Sequence, residues 1–249
     1  MPDLALRPRS ATELVDAAFQ LYRREPLQFI IGLGVIYIPW RVLSGALGLE
    51  GANTVSLATA LIGLLGGLLV YTLSAGVSTV LANDLYFDRS VDLGRAYRAV
   101  LASFVPLALT MFAASFITSV GFPLFLFPGL YFLAHFFAVK QAVLLEGAGT
   151  GAALGRSGAL SKGYKMHILA TLFIIYVLYS AIWVGVSMFS RLIPSLLVQG
   201  AISTIVWTIV YPIFGITETL LYYDIRIRKE GFDIEYLASG ALEKDAVAT

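Results

Sequence analysis

Six long apolar stretches alternate with short polar segments along this chain, at 27–49, 55–81, 100–120, 124–145, 168–190 and 196–222. An α-helix needs about 20 such residues to cross the hydrocarbon of a bilayer, where only a helix or a closed barrel satisfies its own backbone. The pattern predicts an all-α, polytopic integral membrane protein with six transmembrane helices. Only Gly121, Phe122 and Pro123 separate the third and fourth stretches, which predicts a tight hairpin. Pro128 and Gly129 predict a bend early in the fourth.

The segments between the spans carry a second pattern. Ser10 and Glu13 have the spacing of a capping box, in which each side chain satisfies a free backbone amide of the other residue. After it, Leu14, Val15, Ala18, Phe19 and Tyr22 share one face, with Glu13, Asp16, Gln20 and Arg23 opposite, so a helix is expected over 10–25. Leu93, Ala96, Tyr97, Val100 and Leu101 repeat that spacing, with Asp92, Arg95 and Arg98 on the other side; a weaker version runs over 150–164. These predict short amphipathic interfacial helices, apolar side down and basic side toward the headgroups. Taken in order they suggest a threefold internal repeat of one interfacial helix and two spans, each unit closing on an acid: Asp88, Glu146 and Asp224. One membrane domain is expected over 1–238, with cytoplasmic segments at 82–99, 146–167 and 223–238 and a flexible tail at 239–249.

Composition sharpens the class. The chain is 58% apolar and 13% charged, against roughly a quarter charged in soluble domains. Its net charge of +1 leaves no basic face for nucleic acid. With no cysteine, disulfides, thiolate metal sites and cysteine nucleophiles are all excluded. Residues 1–25 carry Arg7, Arg9, Arg23 and Arg24 without an apolar core, so no cleavable signal peptide is expected. Arg41 and Arg191 are the only basic residues in one set of loops. The other set gathers Arg89, Arg95, Arg98, Arg156, Lys162, Lys165, Arg226, Arg228, Lys229 and Lys244. Positive charge stays inside, so both termini are expected in the cytoplasm of a bacterial-type inner membrane.

Few residues carry chemistry. Glu218 stands inside the last span, and a bare carboxylate there costs roughly 2.5–3.5 kcal/mol at mid-bilayer. It lies six residues before Asp224, as Lys140 lies six before Glu146, so an intramembrane ion pair between Glu218 and Lys140 is expected; snorkelling of both to the headgroups is the bland alternative. His135 reads as a buried polar group bonded to a neighbouring helix, and His167 as a solvated one. Arg95, Arg98, Arg156, Lys162 and Lys165 are candidate contacts for anionic lipid headgroups. The glycine-rich stretch at 147–151 lacks a phosphate-loop ending and reads as a turn with Thr150 as helix cap. Ser44 with Gly48, and Gly63 with Gly67, read as close-packing pairs. No pattern for a cofactor, metal site or hydrolase appears.

Several segments resemble the membrane domain of the glycerophosphodiester phosphodiesterase family: Leu14 to Arg23, Pro128 to Tyr131, Leu145 to Gly147, Ala153 to Ser157, and above all Leu220 to Gly231. The resemblance implies a six-helix membrane module. The family's catalytic His-Arg-Gly and acidic metal ligands have no counterpart, so the resemblance does not bring the phosphodiesterase activity with it. The first functional expectation is a non-enzymatic membrane module, a scaffold or subunit. Its partners would be the lipid bilayer, anionic headgroups, and a membrane or cytoplasmic protein or a second copy. The second is a small transporter or channel with a polar path through Thr72, Ser74, Thr110, Ser115, Thr118 and Glu218. The third, with least support, is an enzyme acting on lipid headgroups.

Overall fold

The computed structural model describes residues 7–49, 56–124 and 126–234. Val55, Lys244 and the expected tail at 239–249 lie outside the described residues. Ten helices follow one another: α1 (Ala11–Tyr22), α2 (Pro26–Ala46), α3 (Leu57–Tyr86), α4 (Leu93–Ala102), α5 (Phe104–Leu124), α6 (Leu126–His135), α7 (Val139–Glu146), α8 (Thr150–Ser161), α9 (Lys165–Ser190) and α10 (Leu196–Glu230). Among the described residues six stretches are long and apolar enough to cross a membrane: α2, α3, α5, α6 with α7, α9 and α10. The chain is an all-α, multi-pass membrane protein.

The order is short, long, long, three times over, with the second long element of the middle unit split into α6 and α7. Packing follows the same rule. Each short helix docks on spans of the unit before it: α4 on α3, α8 on α7 and α5, and α1, closing the circle, on α10 and α9. All three gather at one end of the bundle.

Much of the apolar face of each short helix, expected to lie down on lipid, packs on protein. Leu14, Ala18 and Leu21 of α1 are completely buried. Leu93 of α4 sits where a Cβ on Gly32 of α2 would lie 2.9 Å from it, and Val100 stands as close to Gly76 of α3. Gly158 of α8 meets the His135 ring, only 2.4 Å from where its own Cβ would fall. Knob-and-glycine contacts bring backbones together where apolar surface alone gives no drive in lipid.

The capping box of α1 forms. Ser10 Oγ accepts from the Glu13 amide at 3.3 Å, and Glu13 Oε2 accepts from the Ser10 amide at 2.7 Å. Arg7 adds an ion pair at 2.9 Å. The Ser10 backbone amide first, and then the Arg7 guanidinium, push the Glu13 carboxyl down from 4.5 to about 2. A depressed folded pKa stabilises above the unfolded value and is lost as pH falls through the folded one. The protection of the first-turn amides of α1, taken against the intrinsic exchange rate at each pH, should therefore hold above pH 4.5 and fall progressively toward pH 2. A Glu13→Gln chain should lack that step.

The fourth span breaks, but not at its proline. Pro128 is the third residue of α6, in the first turn, where an amide has no intrahelical acceptor to lose. The break comes at 136–138. There Ser157 of α8 accepts from the Ala138 amide at 3.1 Å and donates to the His135 carbonyl at 2.8 Å. One hydroxyl thus takes over two backbone groups that the helix gives up. The hairpin before it is tight, with Gly121 packed on the Gly129 backbone, and α5 continues through Pro123 to Leu124.

The expected glycine pairs, read as packing devices within the chain or between protomers, make no close glycine contact within the chain. A Cβ on Gly48, Gly63 or Gly67 would meet no heavy atom within 4 Å; Gly66, between the last two, carries the Trp40 ring instead.

Candidate functional site

On α10, Gly200, Thr204, Trp207, Tyr211, Phe214 and Glu218 recur at intervals of four and three residues, so they share one face of the helix. That face lines three cavities in succession. The first, about 470 Å³, lies at the end remote from the short helices and has Arg41, Trp40 and Ser44 of α2 opposite Gly200 and Thr204. The Arg41 guanidinium lies across Gly200, 1.5 Å from where a Cβ would be, so only glycine leaves it room.

The second cavity, about 310 Å³, is almost wholly aromatic. Trp207, Tyr211 and Phe214 of α10 face Tyr37, Tyr71, Tyr176 and Tyr179 from α2, α3 and α9. Rings on different helices meet edge to face, Tyr179 and Trp207 at 4.7 Å, Tyr176 and Phe214 at 5.0 Å, Tyr37 and Tyr211 at 6.2 Å. Along α10 they stack, Trp207 on Tyr211 at 5.8 Å and Tyr211 on Phe214 at 6.3 Å.

The third cavity, about 270 Å³, lies toward the short helices and carries the charges. Ser115 and Thr118 of α5 stand on one side, Lys140 and Glu218 on the other. Lys140 Nζ is paired with Glu218 Oε2, and the side chains are 7% and 14% exposed. The structure thus joins these two residues to each other, facing the cavity rather than the headgroups. Tyr37 and Trp207 line both the first and second cavities, and Tyr71 and Tyr176 both the second and third. From Gly200 to Glu218 is eighteen residues, or about 27 Å of helix, close to the hydrocarbon thickness of a bilayer. Of the expected polar path, Ser115, Thr118 and Glu218 line this file, whereas Thr72, Ser74 and Thr110 are buried away from it.

The other candidate residues fall elsewhere. His135 is half-buried at the end of α6, its ring stacked on Tyr131 and Nδ1 3.4 Å from Lys165 Nζ. Lys165 also bonds Ser161 Oγ at 3.0 Å and lies 4.2 Å over the Tyr131 ring. Arg156 grips Glu146 at 2.8 Å and Glu230 at 2.8 Å, tying α8 to α7 and α10. Its hydrogen bonds to Glu230, and then to Glu146, raise the guanidinium pKa. Arg95 pairs with Asp84. So Arg95, Arg156 and Lys165 each have a partner within the protein, although the Arg95 side chain is 47% exposed; Arg98 and Lys162 are exposed.

The three repeat-end acids have unlike roles. Asp88 lies past the end of α3, at φ +52°, paired with Arg24 at 2.8 Å. Glu146 ends α7 and also accepts from Tyr222 at 2.6 Å. Asp224, 2% exposed, accepts from the Arg9 amide at 2.7 Å, from Arg228 at 2.8 Å, and meets His167 Nε2 at 2.9 Å. His167 is therefore a partner of Asp224, not simply solvated. Asp84, fully buried one turn before Asp88, is the acid that sequence reasoning passed over. Among the described residues no three His, Cys, Asp or Glu converge as a metal site would require.

Comparison of the chain with protein-family profiles, curated proteins and solved structures finds no match.

Proposed function

We propose that this chain is a non-enzymatic inner-membrane module that takes a small amphiphilic solute into the file of cavities along α10, as a small transporter or channel does. One observation carries the reading: a single helical stripe joins a cationic end, an aromatic middle and a buried ion pair across the thickness of a bilayer. Ionisable groups inside a span are costly, and they are kept where they face a pathway or one another. The charge asymmetry of the loops supports both termini in the cytoplasm, with α1, α4 and α8 on that side and Arg41 on the other. The six-span arrangement fits the membrane-module part of the family resemblance.

A pure scaffold held to headgroups by its basic helices has less support, since Arg95, Arg156 and Lys165 each already have a partner within the protein. An enzyme at that surface has less still. The carboxylates that converge there, Asp224 and Glu146, already hold several partners each.

The absence of native cysteine makes the test direct. Single cysteines at Thr204, Ser115 and, as a lipid-facing control, Leu64 are offered to a membrane-impermeant thiol reagent in oriented vesicles. Thr204 should label from the side opposite the termini, Ser115 should label with a small aqueous reagent, and Leu64 should stay silent. Equal silence at all three positions would remove the hydrated file.

A further inference from the structure

Resting on the ligand-binding reading above, we infer that the middle cavity is a binding site for a lipophilic organic cation, with Glu218 as its counter-charge. The first ground is the lining. Seven of the nine residues around this space are Tyr, Trp or Phe, and the remaining two are Gly67 and Val70. A neutral apolar solute needs only apolar walls, which Leu, Ile and Val supply throughout this chain. Walls made of aromatic rings add something those side chains lack: a quadrupole whose negative face attracts an onium group.

The second ground is charge. No Lys or Arg lines the aromatic space, so no cation of the protein's own is held against its rings there. Elsewhere in this structure exposed faces do take cations: Lys165 lies over Tyr131 and Arg226 over Phe232, each at 4.2 Å. The third ground is position. Glu218 follows Phe214 by one turn and Tyr211 by two, about 6 and 10 Å along the helix. Its cavity shares Tyr71 and Tyr176 with the aromatic one.

Lys140 then acquires a role. Without ligand it neutralises Glu218; an arriving cation supplies the same charge, so the two compete for one carboxylate. At about 310 Å³ the space falls at the small end of ligand pockets, roughly 300–1,000 Å³, fit for a quaternary ammonium bearing one aryl or short alkyl arm.

The three tryptophans, Trp40, Trp183 and Trp207, all line the file, so intrinsic fluorescence reports entry. The full chain in detergent is titrated with benzyltrimethylammonium and with neopentylbenzene, its uncharged carbon isostere. The cation should bind at least tenfold tighter, the order expected of desolvated cation–π contacts. Tyr211→Leu should weaken the cation about tenfold while sparing the isostere, Glu218→Gln should weaken it similarly, and Lys140→Met should tighten it. Thermal melts identify any variant that fails to fold, and the parent comparison of cation with isostere stands without them. Equal binding of cation and isostere overturns the cation site while leaving the ligand-binding reading intact. Binding of neither, with labelling at Thr204 and Ser115 retained, also overturns it; loss of that labelling sinks both.

Discussion

Lys140→Met lowers the stability of the protein by about 3–5 kcal/mol, seen as a lower thermal midpoint in detergent, because it leaves the Glu218 carboxylate buried without its counter-ion. The magnitude belongs to breaking a buried pair, not to its net worth. Two charges only 7% and 14% exposed recover the cost of leaving bulk water chiefly by meeting each other. Glu218→Gln costs less, since a neutral amide needs no counter-charge and the long lysine stem lets its ammonium reach toward the nearer surface. The double variant Lys140→Met/Glu218→Gln recovers most of the loss, so the two changes couple strongly rather than add. Benzyltrimethylammonium in turn raises the midpoint of Lys140→Met more than that of the parent, because a ligand bound only to the folded state stabilises it in proportion to its affinity. If both single variants melt with the parent, the pair holds nothing and Glu218 is neutral in the folded protein.

This pair was legible before any coordinates, and for a simple reason. Charge inside an apolar stretch is rare enough to be noticed, and the shared distance of six residues to Asp224 and Glu146 placed both at one depth. The spans and short helices were legible on the same terms, through length, caps and periodicity. The repeat was legible as an order of elements, but Asp84, the fully buried partner of Arg95 one turn before the repeat-end Asp88, was not. Distance along the chain does not say which of two acids one turn apart faces inward.

The α10 stripe was present in the sequence and still invisible. In a soluble helix the buried face is apolar and the other polar, so the 3.6-residue period stands out. In a membrane both faces are apolar, and Trp207, Tyr211 and Phe214 on the cavity side read like the lipid-facing Ile205 and Ile209 beside them. Aromaticity at intervals of four and three residues is the signal that survives, and hydropathy alone discards it. The docking of α1, α4 and α8 escaped for a related reason. An amphipathic helix looks the same whether its apolar face meets lipid or protein, and only Gly32, Gly76 and Gly158 mark the difference.

Ser157→Ala should prove nearly as damaging as Lys140→Met, although the residue is neutral and belongs to a short helix outside the spans. Its hydroxyl, fully buried, is the acceptor for the Ala138 amide and the donor to the His135 carbonyl. Alanine removes both bonds, and a buried backbone group without a partner costs about 1–3 kcal/mol, so roughly 2–6 kcal/mol is expected for the two. The break at 136–138 also sets the rotation at which α7 begins at Val139, and therefore where Lys140 points. Loosening it should weaken the grip on Glu218, so Ser157→Ala and Lys140→Met should cost less together than the sum of their separate effects. Ser157→Thr keeps the hydroxyl and should hold most of the stability if its methyl is accommodated. Exchange of the Ala138 amide separates this from a general loss of packing: it should rise in Ser157→Ala well before the rest of α7 opens. A Ser157→Ala chain that melts within about 0.5 kcal/mol of the parent would mean that the fourth span closes its own gap. The lysine would then owe its position to α7 alone.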